Sequence, residues 1–218
     1  YRDYLNILPE DFYGLAWSKN LDDPHSSGQT LKKMVTDFNS IANQATNDIV
    51  YALGYHHQIN IMTFYVFSCK KLIEIGDFNS AYAIFSGLNH VAVNRLHYIK
   101  NHSMIKPILF QIEYLYSVMN SMKNYKEAVK DALSKGKVVV PFMGVHLKEL
   151  TFAEDGNPII LNNGNLNLDR IELLGELYAH LDDSLAQLYR ASPLKSCLSL
   201  KKLDNVTLIA YTDHEVEG

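Results

Sequence analysis

Apolar residues in this chain recur at steps of three and four, and that period fixes the class of fold. From Thr30 onward Leu31, Met34, Phe38, Ile41, Ala45 and Ile49 fall on one face of a helix. A second helix runs through Ile59, Met62, Phe64, Val66, Leu72 and Ile75, and Gly76-Asp77 stops it. It is apolar nearly all round, the pattern of a helix buried on most sides. Ser80 to Leu88 reads as a third, short helix ending near Asn89, and residues 108–133 as one long helix through Leu109, Ile112, Leu115, Met119, Ala128 and Val129. Ile171, Leu174, Leu177, Tyr178, Leu181, Leu185 and Leu188 make the continuous stripe of a last helix, which Pro193 ends. Against these stands a single strand-like run, Val138-Val139-Val140, too short to build a sheet. The expectation is an all-α fold, one domain over residues 1–218, with irregular connections.

Composition narrows the function classes. Of 218 residues, 47% are hydrophobic, enough for a sizeable core, and the net charge of −4 disfavours a nucleic-acid footprint or a polybasic membrane patch. Cys69 and Cys197 form no CxxC pattern and no disulfide framework, which fits a reducing compartment. No apolar run is long enough to span a bilayer. Pro9 suits the first turn of a short helix, Trp17 reads as core, and residues 19–28 as a loop. The tail from Leu198 to Ala210 alternates only weakly, residues 194–218 read as a divergent tail, and the abrupt start at Tyr1 reads as the edge of a longer protein.

One stretch, Pro141 to Pro158, breaks a local rule. Its front reads as a helix. Gly156 can take the left-handed conformation at the cap, and Pro158 forbids further helix. Just before that stop sit Glu154 and Asp155, two carboxylates at the negative end of the helix dipole, with no Lys or Arg in the last turn to offset them. A broken local rule points to function.

The wording of this stretch, a Pro-aromatic-x-Gly helix followed by an acidic-Gly-Asn-Pro turn, resembles the catalytic segment of Ras-family guanine-nucleotide exchange factors. A second block agrees with it. Asp77-Phe78-Asn79-Ser80-Ala81-Tyr82-Ala83-Ile84-Phe85-Ser86-Gly87-Leu88-Asn89, then Val93-Asn94-Arg95-Leu96, is similar to the family's N-F-N … A-I … G-L … V-x-R-L pattern in spacing and type. Leu15-Ala16-Trp17 resembles the family's opening helix, and Met34 with Phe38-Asn39 its next signature. Tyr125, seventeen positions before Phe142, falls where the family keeps an aromatic.

The resemblance implies an α-helical bowl with a protruding hairpin, here about 142–155 paired with about 167–190. It implies a wall that binds switch 2 of a small GTPase, with Met34, Tyr82, Asn89, Asn94, Tyr125 and Phe142 at its positions and Lys148 as a further contact. The hairpin is implied to displace switch 1. Thr151 then stands over the magnesium site, and Asp155, with Glu154 beside it, near the phosphates. The implied partner is a Ras-subfamily GTPase, held best without nucleotide, with no nucleic acid, no membrane insertion, no cofactor and no bound metal of its own. The implied setting is cytoplasmic, at membranes where the GTPase is anchored. Two departures stand out: the family commonly has Glu at the Asp155 position, and some members carry an aromatic at the Asn94 position.

Two other classes are open to the sequence. In an ordinary enzyme the acidic pair would serve as general acid and base. Adjacent helical residues point about 100° apart, however, and do not easily share a target. No GxSxG, HExxH or P-loop is present, and the nine histidines are scattered. The other class is a helical module that binds a GTPase or another protein without exchange activity. Solvent exposure separates the readings, since an interaction wall would bring Tyr82, Tyr125 and Phe142 to one open groove.

Overall fold

The computed structural model describes Ile7, Asp11, Phe12 and residues 28–191. Leu15 to Trp17 and the tail after Pro193 lie outside the described residues. Those described form helices α1 (Gln29–Val50), α2 (Tyr55–Ile75), α3 (Phe78–Leu88), α4 (Val91–Asn94), α5 (His97–Lys100), α6 (Lys106–Leu115), α7 (Lys123–Ser134), α8 (Met143–Gly156) and α9 (Leu168–Ala191). No sheet forms among them, as the helical period predicts.

The short helix α3 is the centre of the fold. Its start is fixed by Asp77, whose carboxylate accepts from the Ser80 backbone N–H at 2.9 Å and from the Ser80 hydroxyl at 2.8 Å. Phe78, Ala81, Ala83, Ile84, Phe85 and Leu88 are all buried, so α3 is enclosed by α1 on one side and α2 on the other. Gly87 allows that closeness, because a Cβ there would run into the Ala42 carbonyl of α1. Thr46 joins both helices at this crossing, its hydroxyl lying 3.0 Å from the Ala42 carbonyl and 3.1 Å from that of Gly87.

The triplet Val138–Val140 makes no strand, yet it is used. Val140 forms an isolated bridge to Asp77. Its N–H donates to the Gly76 carbonyl at 2.9 Å, and its carbonyl accepts from Phe78 N–H at 3.0 Å. This stitch ties the start of α8 to the start of α3. A second apolar cluster lies beyond it, where Met143 and Leu150 of α8 meet Leu181 and Leu185 of α9 over Leu31 and Met34 of α1. The base of the α8–α9 hairpin therefore sits in core.

Two helical expectations change. Helix α2 buries only the face carrying Ile59, Met62, Val66 and Cys69, while Phe64 and Phe67 stay exposed. Apolar residues all round a helix are permissive of burial, and here neighbours cover one side. The expected helix over 108–133 is two helices. Tyr116 and Tyr125 explain the break. Nine residues apart is about two and a half turns, which places them on opposite faces of one continuous helix. Both are buried in the same core, with ring centroids 6.1 Å apart. The chain must turn between them, and it does so through Asn120, Ser121 and Met122, all left-handed with φ of 52°, 54° and 58°.

That turn yields a stability prediction. A left-handed L-residue costs roughly 1–2 kcal/mol and a β-branched one more, while glycine costs little. Ser121→Gly is expected to be neutral or to stabilise by up to about 1 kcal/mol, and Ser121→Val to destabilise by about 1–2 kcal/mol. Chemical denaturation of the three proteins checks the order.

Candidate GTPase-facing surface

Three rings from three elements meet at one point on the surface. Phe142, the residue before α8, stacks on Tyr82 of α3 at 4.1 Å and on Phe38 of α1 at 5.5 Å, and Phe38 and Tyr82 are 6.0 Å apart. Gly144 lets the Phe142 ring fold back over the helix start, since a Cβ there would strike that ring. Phe142, Phe38 and Met34 line a groove of about 220 Å³. Met34 itself is buried.

Neither Tyr82 nor Tyr125 lines this groove, so the three aromatics do not meet in it as expected. Tyr125 lies deepest. It is 3% exposed, packed edge-on against Phe78 at 5.7 Å, and its hydroxyl oxygen accepts the Phe142 N–H at 2.7 Å. It holds Phe142 from beneath. Burial pushes its phenol well above the ordinary tyrosine range, so the hydroxyl stays protonated. Burial likewise raises Tyr82. Of the three aromatics singled out in the sequence, two belong to the ring cluster at the surface and the third supports it. Phe38 was missing from that set, although its place four residues after Met34 on one helical face could have found it.

Asn89 and Asn94 lie at the far end of α3 and in α4. The Asn94 amide donates to the Asn89 carbonyl at 2.8 Å. Lys100 joins them, its ammonium donating to Asn89 Oδ1 at 3.0 Å and to Asn94 Oδ1 at 2.5 Å. No motif in the sequence announces this lysine.

The hairpin carries the remaining residues. Helix α8 ends at Gly156, which is right-handed, unlike the left-handed cap expected. Asn157 turns extended at φ −128°, as a residue before proline is pushed to do. The two carboxylates at that end are not equivalent. Glu154 turns inward to Arg170 of α9, whose guanidinium also donates to the Glu154 carbonyl at 2.6 Å and to the Asn157 carbonyl. The last turn of α8 holds no Lys or Arg, as the sequence showed, and the cation that offsets Glu154 is delivered by the next helix. The side chains of Arg170 and Glu154 are only 10% and 14% exposed. Asn167 completes the turn. It accepts the Arg170 N–H at 3.1 Å, capping α9, and donates to the Pro158 carbonyl at 3.0 Å.

Asp155 points the other way and is exposed. Thr151, one turn earlier, donates its hydroxyl to the Leu147 carbonyl at 2.8 Å. Lys148 lies on the same face, with its ammonium 5.5 Å from the Phe152 ring. Around this tip Phe152, Ile159, Ile160, Leu168 and Ile171 are more than half exposed. The last helix thus loses its expected continuous burial at the front: Ile171 faces solvent while Leu181 and Leu185 are core. Several large apolar residues left exposed near one turn are a feature of protein-binding surfaces.

The Cys69 thiol is buried, donates to the Ala81 carbonyl at 3.3 Å and is pushed up to about 12 by burial, so it is no nucleophile. Among the described residues no His, Cys, Asp and Glu gather into a metal-holding group, and no helix is long and apolar enough to cross a membrane.

The Arg170 anchor can be tested by stability. Removing one partner of a buried pair costs about 3 kcal/mol or more, so Arg170→Ala is expected to destabilise by about that amount. Glu154→Gln is expected to cost less, because the backbone carbonyls still hold the guanidinium. Denaturation midpoints, with hydrogen exchange of residues 147–170, read both effects. Equal losses for the two variants would contradict the arrangement.

Comparison with known proteins shows the family. The family model described as the RasGEF domain matches residues 1–172. The chain is 28% identical over 176 residues to Ras guanine nucleotide exchange factor P of Dictyostelium discoideum, covering 79% of this chain and 11% of that protein. It is 26% identical over 172 residues to factor D of the same organism, covering 78% and 25%. It is 27% identical over 161 residues to Ras-GEF domain-containing family member 1B-A of Danio rerio, covering 70% and 31%. The chain thus spans less than a third of the length of each of these relatives.

Proposed function

Because the chain belongs to the RasGEF domain family, we propose that it binds a Ras-subfamily small GTPase and accelerates release of its GDP. The observation that carries this reading is the direct continuity between ring cluster and hairpin. Phe142 is both a member of the cluster and the residue from which α8 departs. A partner held on the Phe38–Tyr82–Phe142 face would lie beside a helical hairpin with an apolar tip.

The mechanism needs no covalent step. An exchange factor binds the nucleotide-free GTPase better than the loaded one, and by linkage it weakens nucleotide by the same factor. The hairpin tip, with Phe152, Ile159 and Ile160 outward, displaces switch 1 from the nucleotide. Thr151 and Asp155, four apart on one helical face, reach the magnesium and phosphate region together. Asp155 competes there for the donors that hold phosphate, and removing magnesium strips the phosphates of their neutralising charge. Glu154 has a different task, since Arg170 holds it inside the hairpin. The rings of the cluster supply the affinity that drives the displacement, as buried aromatics dominate interfaces. The chain acts at the membranes where its GTPase is anchored.

The test is release of fluorescent GDP from Ras, Rap, Ral and R-Ras in the presence of the chain. At least one is expected to release faster, and a folded protein that accelerates none contradicts the proposal. Binding without acceleration would favour an exchange-inactive module. Phe142→Ala is expected to cost about 2 kcal/mol or more in complex formation. Asp155→Asn keeps the shape and removes the charge, and is expected to slow release by about tenfold or less. Leu150→Pro breaks α8 and is expected to abolish exchange.

A further inference from the structure

The ammonium of Lys100 is held in an unusual way. It is half-buried, and the groups that hold it, Asn89 Oδ1 and Asn94 Oδ1, are neutral. They fill two of its three donors and none of its charge. Burial lowers its pKa, and Glu113 offsets this only in part. Glu113 is the acid that acts on it, from the same surface hollow but beyond ion-pair distance. Between Phe78 and Ile112 the chain carries no Asp or Glu, but it carries His90, Arg95, His97, Lys100, His102 and Lys106. With His neutral, the cations of this stretch are Arg95, Lys100 and Lys106, in a protein of net charge −4. Arg95, His97 and Lys106 are exposed. A partly desolvated cation bound only by amide oxygens is best completed by a carboxylate, which satisfies the third donor and the charge together.

We infer that Lys100, oriented by Asn89 and Asn94, is a specificity-determining contact that takes a carboxylate of the GTPase beside switch 2. The inference rests on the exchange-factor reading and adds a discriminating element to it. Aromatic stacking alone accepts any partner with an apolar side chain at the right place. A fixed cation selects partners with an acid there and disfavours those with a base. Asn89 and Asn94 act as positioning residues, because their amides set where the ammonium points.

The experiment measures binding of the chain to nucleotide-free Ras, Rap, Ral and R-Ras at low and moderate salt. Lys100→Met keeps the stem and removes the charge, and Lys100→Arg keeps the charge. With the best-bound GTPase, Lys100→Met is expected to weaken binding about tenfold and to flatten the salt dependence, while Lys100→Arg retains most of both. Changing the carboxylates around switch 2 of that GTPase to amides, one at a time, should reveal one whose effect vanishes in the Lys100→Met background. The proposal is overturned if folded Lys100→Met binds within about twofold of the parent with the same salt dependence, or if every amide change adds independently to it. Equal losses for Lys100→Arg and Lys100→Met without coupling would mean that the lysine only braces two asparagines. A parent chain that binds none of the four defeats the exchange-factor reading and this inference with it. Loss of binding in Phe142→Ala with none in Lys100→Met defeats this inference alone.

Discussion

The guanidinium of Arg170 is the interaction on which the outer half of the molecule depends. A hairpin that stands away from the core has few apolar contacts to hold its two helices at a fixed angle. Here one side chain gathers the Glu154 carboxylate and the carbonyls of Glu154 and Asn157, all from the end of α8, while belonging to the first turn of α9. It satisfies carbonyls that a helix C-terminus leaves without partners and neutralises an acid that would otherwise oppose the dipole. The planar fork suits several acceptors at once, which a lysine could not match. With that end fixed, Asp155 is left facing outward alone.

The inner half depends on a shorter stitch. Val140 bonds to Gly76 and Phe78, Tyr125 bonds to the Phe142 N–H, and Tyr116 donates to the Phe78 carbonyl at 3.0 Å. These contacts join the start of α3, the buried tyrosines and the departure point of α8 into one block. The ring cluster and the hairpin are therefore mechanically continuous. On the proposed function, that continuity lets affinity gained at the cluster act at the tip. The proposed wedge action needs a stiff hairpin, and Leu150, Leu181 and Leu185 pack together in the second core at its base.

Much of this was legible in the sequence. The all-α class followed from the three-and-four period, and α1, α3 and α9 lie close to where that period put them. The RasGEF motifs around Phe78 and Phe142 pointed to the elements that meet at the surface. What stayed hidden has a common cause. The break between Tyr116 and Tyr125, the inward turn of Glu154, the support role of Tyr125 and the clamp by Lys100 all depend on residues distant in sequence. Periodicity reports which face a residue occupies on its own helix, not which neighbour arrives there. The last turn does lack a cation, as read from the sequence, but the charge that offsets Glu154 sits sixteen positions later, on another helix.

The central claim is that a rigid hairpin, fixed by Arg170, couples GTPase binding to nucleotide loss. The most direct measurement is the ratio of dissociation constants for GDP-loaded and nucleotide-free GTPase, taken for the parent chain and for Arg170→Ala under conditions where both are folded. The account predicts a ratio above about tenfold for the parent and a ratio that collapses toward one in the variant, chiefly through weaker binding of the nucleotide-free form. A folded Arg170→Ala protein that keeps the parent's ratio would contradict it.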